Sequence, residues 1–318
     1  AQEGQVWYNT TSTVLKGFAA SVPTGVWSSG GNLTTATMFT QGAGTLTAGL
    51  AMSGTSAPPP TPNIMVTTQE YNGSAWTAGG DMTTGRMNAA GAGTQTSALI
   101  AGGSGIPGTL AATEEYDGTS WTAGGALSRG PARALQMSSG ATQNAAWVAG
   151  GKNEPGEVRT DEMEIYDGTS WTEVADLNTT RTDGSGNGTT TAALAFGGNV
   201  PPETAAAETW DGTSWTETND LNSARRDLGG SGTVTAGLAF GGVGPPSTWF
   251  AATEYYDGTS WTEVADLATA RQGGAASRTG GSLASFYAGG LSVAPPSPAP
   301  AVTEEWTTGA AIKTFTAS

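Results

Sequence analysis

The sequence predicts an all-β propeller built from four-stranded blades. Three observations predict it: a nine-residue motif that returns along the chain, a repeat period in the mid-forties, and a short apolar run ending in glycine. The motif reads "EEYDGTSWT" at 114–122, with relatives at 164–172, 208–216 and 254–262 and a looser copy at 70–77. Its tryptophans recur every 44 to 50 residues. This period is typical of one propeller blade.

The unit from 177 to 215 shows the elements of one blade in order. A Gly-rich inner strand at 177–189 precedes the run "TTAALAFGG" at 190–198, whose unbroken apolar character suits a strand buried on both faces. A Pro-bearing loop at 199–208 leads outward. The motif at 208–215 then turns sharply into an outer strand at 215–221, where polar and apolar residues interleave.

The apolar-glycine strand occurs six times, which predicts six blades; its copies are 49–54, 98–103, 146–151, 193–198, 237–242 and 285–290. We expect residues 20–31, around Trp27, to close the ring by joining the last blade. The predicted organisation is therefore an N-terminal hairpin or attachment segment at 1–19 and a propeller at 20–318. Seven blades are the alternative, with a partial blade made from the N-terminal hairpin and the strand at 26–30.

Two repeated features allow either a structural or a ligand-binding interpretation. Asp-Gly is a strong hairpin signal because both residues tolerate positive φ, so we predict that the motif aspartates turn hairpins and hold no metal; they are Asp117, Asp167, Asp211 and Asp257. The alternative is a repeated calcium or sugar site. An arginine also recurs, and hydrogen bonding between blades is favoured over a ring of ligand-binding charges; its copies are Arg86, Arg181, Arg225 and Arg271, with Thr37 in the first unit and Arg129 or Arg133 in the third.

The composition restricts the chemistry. The chain contains neither His nor Cys, which removes the commonest general base and thiolate metal ligands, and no cofactor or metal is expected. A formal net charge of −15 disfavours nucleic acid as a partner, and no apolar run is long enough for membrane insertion. We therefore expect a non-enzymatic protein. A two-carboxylate glycosidase stays open as an alternative, with acids clustered at Glu154, Glu157, Asp161 and Glu162.

The glycine pair, the following aromatic residue and the tryptophan resemble kelch repeats over about residues 27–306, although Tyr116 and Trp121 lie closer together than the corresponding kelch residues. The whole chain, including "EGQVWYNTTSTVLKGF" at 3–18 and "VTEEWTTGAAIKTF" at 302–315, is similar to kelch-like virion proteins of bacteriophages, particularly marine cyanophages. The resemblance implies a virion structural protein, such as a tail-fibre or appendage module for host attachment or decoration. It also implies contacts with other virion proteins, a host glycan or receptor, and a homo-oligomer within the particle.

The loops after the glycine pairs differ from blade to blade, and in a propeller they open on one face. Proline stiffens them, and apolar residues beside stiff loops often mark a binding surface. We predict that Trp249, Phe250 and Ile106 contact a partner or glycan; the alternative is that they pack on a neighbouring loop or subunit. Two further functions stay open: a non-viral lectin or kelch-type interaction scaffold, and a polysaccharide-degrading enzyme.

Overall fold

The computed structural model describes residues 6–9, 14–17, 22–57, 62–105, 108–128, 132–133, 137–153, 158–279, 281–292, 300–309 and 313–315. These residues form β-strands and no helix. The described residues therefore contain no helix that is long and apolar enough to cross a membrane.

The predicted six-bladed propeller of four-stranded antiparallel blades is confirmed. Blade one consists of β4 (Gln41–Thr45), β5 (Ala48–Met52), β6 (Thr68–Tyr71) and β7 (Trp76–Ala78); blade two of β8 (Ala90–Thr94), β9 (Ser97–Ala101), β10 (Thr113–Tyr116) and β11 (Trp121–Ala123). Blade three consists of β12 (Ala132–Arg133), β13 (Ser138–Thr142), β14 (Ala145–Asn153), β15 (Val158–Tyr166) and β16 (Trp171–Val174). Blade four consists of β17 (Ser185–Thr189), β18 (Ala192–Phe196), β19 (Ala207–Trp210) and β20 (Trp215–Thr218).

Blade five consists of β21 (Gly229–Thr233), β22 (Ala236–Phe240), β25 (Thr253–Tyr256) and β26 (Trp261–Glu263), with a short hairpin of β23 (Val243–Gly244) and β24 (Thr248–Trp249) between its second and third strands. Blade six contains β28 (Ala275–Ala276), β29 (Ala284–Ala288) and β31 (Thr303–Thr308). A two-stranded extension, β27 (Arg271–Gln272) and β30 (Leu291–Ser292), accompanies it.

The outermost strand of blade six comes from the other end of the chain. β3 (Gly25–Ser29) pairs antiparallel with β31, and Trp27 lies opposite Trp306. The hairpin of β1 (Val6–Asn9) and β2 (Val14–Gly17) pairs instead with β32 (Lys313–Phe315) in a separate three-stranded sheet. The seven-blade alternative is therefore wrong, because the strand that it needed for an extra blade is already used in blade six.

The core is divided among the six junctions between blades. Each second strand is buried on both faces, as in β18, where four of five residues are buried. One apolar cluster fills each junction; between blades one and two, Leu50 and Met52 pack against Ile100, Tyr116 and Trp121. Because each blade contributes one face to each of two clusters, neighbouring blades stabilise one another.

The motif tryptophan fastens its blade to the preceding one. At four junctions its indole Nε1 donates a hydrogen bond of 2.9 Å to a threonine Oγ1 at the start of the preceding blade's third strand; the pairs are Trp27–Thr253, Trp76–Thr303, Trp121–Thr68 and Trp171–Thr113. Met163 and Ala207 replace the threonine at the other two junctions, and there Trp215 and Trp261 Nε1 have no hydrogen-bond partner among the described residues. The repeated motif thus positions an anchor between blades.

Candidate functional site

The loops that follow the glycine pairs lie at one end of the central axis, which we call the loop face. In each blade, the residue after the glycine pair, or after the equivalent Ser53-Gly54, bridges to the link that enters the same blade. The bridges are Thr55–Met38, Ser104–Met87, Lys152–Arg133, Asn199–Thr182, Val243–Arg226 and Leu291–Gln272. The motif turns and the hairpins between first and second strands lie at the opposite end, the turn face. The two faces therefore carry different parts of the repeat.

The predicted residues Trp249 and Phe250 lie on the β23–β24 hairpin of the loop face. Trp249 pairs with Val243, and both aromatic side chains are half-buried rather than fully exposed. The Phe250 ring lies 5.6 Å from the guanidinium carbon of Arg225, measured to the ring centroid. Phe250 thus covers a buried charge and has a packing role, whereas Trp249 has no such contact with a charged side chain among the described residues. The third predicted residue, Ile106, lies outside the described residues.

The tip of the same hairpin is open to solvent. The four residues from Pro245 to Thr248 are exposed, and Ser247 adopts a φ of 108°. The prolines and the backbone hydrogen bond from Ser247 N to Gly244 O, 2.7 Å long, restrict the tip. Trp249 therefore borders a restrained and accessible loop.

A ring of unusual backbone conformations surrounds the axis at the loop face. The residue two places after each described repeated arginine, or after Thr37, has a left-handed φ: Phe39 at 52°, Asn88 at 53°, Asp183 at 58°, Asp227 at 54° and Gly273 at 63°. This conformation costs most residues about 1–2 kcal/mol, whereas glycine, Asn and Asp adopt it more readily. Backbone hydrogen bonds link the ring, for example Asp227 N to Asp183 O at 2.7 Å and Gly273 N to Asp227 O at 2.9 Å. The strain in this ring therefore falls mainly on Phe39, and the ring marks where the blades converge on the loop face.

Two carboxylates of this ring come from adjacent blades. Burial raises the pKa of Asp183, and the Thr182 hydroxyl, which donates to it at 2.6 Å, and the Arg226 charge oppose that rise. Arg226 Nε donates at 3.0 Å to Glu203. Sequence reasoning missed Asp183 and Asp227; the available signal was their place two residues after Arg181 and Arg225. The result is an acidic, hydrogen-bonded centre on the loop face.

The acidic stretch at 154–162, which the sequence analysis kept as a possible glycosidase site, is only partly covered by the described residues. Asp161 and Glu162 are half-buried on β15, and the Asp161 carbonyl accepts a hydrogen bond from Leu177 N at 3.0 Å. Glu154 and Glu157 lie outside the described residues. Within the described ranges, no group of three or more His, Cys, Asp or Glu side chains is arranged to hold a metal ion.

The motif aspartates cap the hairpin turns between third and fourth strands, as in blade two. Tyr116 pairs with Trp121, which leaves a four-residue loop, and only Gly118 has positive φ, at 92°. Asp117 Oδ1 accepts hydrogen bonds of 2.8 Å from the amides of Thr119 and Ser120. These bonds lower the pKa of Asp117. Asp117 therefore supports the hairpin turn through its side chain and not through a positive φ of its own.

The repeated arginines form buried ion pairs that connect blades. The side chain of each is at most 1% exposed and pairs with a third-strand glutamate of the next blade, an arrangement we call the Arg–Glu joint; the pairs are Arg86–Glu114, Arg181–Glu208, Arg225–Glu254 and Arg271–Glu304. The backbone carbonyl of the same arginine accepts from the preceding blade, as in Gly198 N to Arg225 O at 2.9 Å. The structural interpretation of these arginines is therefore supported. In blade three, the side chain of Arg133 and all of Arg129 lie outside the described residues.

Blade one contains a neutral version of the joint. Thr37 replaces the arginine and Gln69 replaces the glutamate. Gln69 Oε1 accepts from the Thr34 hydroxyl at 2.8 Å and from Thr35 N at 3.1 Å, and its amide donates to Thr35 O at 3.0 Å. Both members of the charged pair are replaced together, so neither charge is left buried alone.

Comparison with protein-family models finds none that matches the chain, and comparison with curated protein sequences gives no match.

Proposed function

We propose that this chain is a non-enzymatic structural module of a bacteriophage particle, a tail-fibre or appendage propeller that attaches the particle to its host or decorates it. The contrast between the two faces carries the proposal. The turn face repeats Asp-Gly-Thr-Ser in four blades, whereas the loops of the loop face differ in length and sequence in every blade. A surface that varies on a constant scaffold is typical of recognition.

The use of the charged residues supports a binding role over catalysis. Four arginines and their glutamates are buried in joints, and the motif aspartates cap turns. The resemblance of the whole chain to kelch-like phage virion proteins, and of residues 4–16 to segments of phage tail-fibre and appendage proteins, supports the placement in a virion. On this proposal the loop face contacts a host glycan, a receptor or another virion protein, and the sheet of β1, β2 and β32 faces the rest of the particle.

Trp249 is the residue on which we would first test binding. Trp249→Ala should weaken binding of the full chain to host cells by about 30-fold, the effect of losing one aromatic hot spot of about 2 kcal/mol. Leu283→Ala is the matched control, because Leu283 is a 63% exposed apolar residue outside the loop face. Phe250→Ala is less informative, since that ring also covers Arg225. Unchanged binding by a folded Trp249→Ala variant would move the contact elsewhere.

The placement in a virion needs a separate experiment. Immunogold imaging with antibodies against the chain should label the fibres or surface of purified particles. A chain present in infected cells but absent from particles would contradict the proposal and favour a free lectin or interaction scaffold.

The paired aspartates at the axis favour one second candidate, a polysaccharide-degrading enzyme. Burial raises the pKa of Asp183, and Asp227 lies beside it in the ring; glycoside hydrolysis uses a pair of carboxyl groups. Release of reducing ends from host polysaccharide, lost in both Asp183→Asn and Asp227→Asn, would establish it. No release from polysaccharides that the chain binds would leave the binding role.

A further inference from the structure

Arg278 is a buried cation without a counter-charge. It follows β28 in blade six and is only 7% exposed. The Arg–Glu joints show that this fold otherwise pairs buried arginines with carboxylates, yet no carboxylate of the described residues forms an ion pair with Arg278. A buried guanidinium without an anion is unfavourable in a protein interior.

The side chain of Arg278 reaches across the centre of the propeller. Its Nη1 donates to Gly186 O at 3.2 Å and to Ser185 Oγ at 3.4 Å, both in the inner strand of blade four. Blades four and six are not neighbours, since the inner strand of blade five lies between them. The guanidinium therefore lies at the axis. In four other blades the equivalent residue is a glycine with positive φ and no side chain; these are Gly44, Gly93, Gly188 and Gly232.

Most donors of this guanidinium are unused. Nε is buried and has no hydrogen-bond partner among the described residues, and Nη2 forms no hydrogen bond with them. The adjacent Thr279 Oγ1 and, in the inner strand of blade three, Ser139 Oγ are also buried without partners. The neighbouring phenol offers no negative charge at neutral pH, because burial raises the pKa of Tyr287 to about 12. An arginine with free donors on a polar axis is chemically an anion receptor.

We propose that the central axis is a binding site for a small inorganic anion, held by the Arg278 guanidinium with Nη2 as the donor. Because Arg278 is only 7% exposed, we expect a small ion and not a bulky one. The site is separate from the loop face and goes beyond the attachment role. A bound anion would supply the charge that Glu114 or Glu254 supplies in the joints.

Bromide is a suitable probe, because thermal unfolding and anomalous diffraction both report it. The full chain, dialysed into a halide-free buffer of a bulky organic anion, should show a saturable rise in Tm of about 2–5 °C on titration with sodium bromide. Arg278→Gln should lose the saturable component. Arg226→Gln is the matched control and should keep it, because Arg226 is 35% exposed and already paired with Glu203.

Crystals of the unaltered chain soaked in bromide decide the location without any variant. The expected result is an anomalous peak on the axis within hydrogen-bonding distance of the Arg278 guanidinium. Bromide peaks at surface sites with none at Arg278 would overturn the proposal. A saturable rise of equal size in folded Arg278→Gln would also overturn it, and Arg278→Met, which also removes the charge, replaces that variant if it does not fold.

Discussion

At the junction between blades four and five, a buried arginine meets a buried glutamate, whereas at the junction between blades six and one a threonine and a glutamine occupy the same two places. Arg225 and Glu254 are 2.7 Å apart, with side chains 0% and 1% exposed. Gln69 instead satisfies the link through three neutral hydrogen bonds. The ring therefore requires hydrogen bonds at this position and does not require charge. In the charged joint, removal of either side chain would leave the other as a buried charge without a counter-charge.

The largest effect should come from breaking one charged joint. Arg225→Ala leaves Glu254 buried without its cation, and we expect a loss of about 3–5 kcal/mol in the free energy of unfolding, measured by denaturant titration. Thr37→Ala at the neutral joint should cost less than about 1 kcal/mol, because the Thr37 hydroxyl has no hydrogen-bond partner among the described residues. Similar losses in the two variants would show that the charge is unimportant.

The next effect concerns the motif turn, which is the same in blades with either joint. Gly118 and Gly73 have φ values of 92° and 89°. Valine at either position should cost about 1–3 kcal/mol, since a β-branched residue is strained there. Equal losses in Gly118→Val and Gly73→Val, measured as a shift in the denaturant midpoint, are expected. A much larger loss in one blade would show that the turn and the joint are coupled.

A second contact between blades, the tyrosine–glutamate hydrogen bond, should make stability depend on pH in the alkaline range. Burial first, and then a hydrogen bond to a glutamate of the preceding blade, raise the pKa of Tyr71, Tyr116 and Tyr166 to about 12; Tyr116 donates to Glu70 at 2.6 Å. Their stabilisation is complete below pH 10, the pKa of an unfolded tyrosine, and is lost as the pH rises towards 12.

Tyr116→Phe tests this pH dependence. The variant should be about 1 kcal/mol less stable at pH 7 and should lose less stability than the unaltered chain between pH 10 and 12, as measured by chemical unfolding at each pH. Trp210 and Trp306 stand at the tyrosine position in blades four and six, opposite Ile165 and Tyr255 instead of glutamate. If the free energy of unfolding fell equally in both proteins between pH 10 and 12, ionisation of Tyr116 would not be the cause.

The smallest effect should come from converting a charged joint into a neutral one. Arg225→Met with Glu254→Gln keeps the volume, and the side-chain carbonyl of the introduced glutamine retains an acceptor for Asn222 N, which now donates to Glu254 at 2.7 Å. We expect the double variant to lie within about 1 kcal/mol of the unaltered chain, because an apolar group of similar size often replaces a buried ion pair without loss. Arg225→Met alone should be much less stable, and a double variant as unstable as that single one would contradict the comparison.

The sequence predicted correctly those features that recur in every blade for the same physical reason. Six buried apolar strands require six blades, and a glycine in a tight turn leaves the same pattern in each copy. It failed where a residue acts through a partner that only the fold supplies. Asp183 and Asp227 become neighbours because blades converge on the axis, and Thr37 and Gln69 are recognisable as one substitution only once their contact is known. A single arginine such as Arg278 carries no periodic signal, so its position on the axis could not be predicted.

The pairing of β3 with β31 sets an order on folding. Ser28 and Glu305 lie in adjacent strands although they are 277 residues apart in the chain. During synthesis the first strand of the ring emerges long before its partner, and closing so long a loop is entropically unfavourable. Blades one to five can form from local hairpins as they leave the ribosome, while the strand of Trp27 keeps an unpaired edge. The ring closes only when β31 has been synthesised. A chain truncated before residue 303 is therefore left with an open ring and an unpaired strand edge that can pair with another chain.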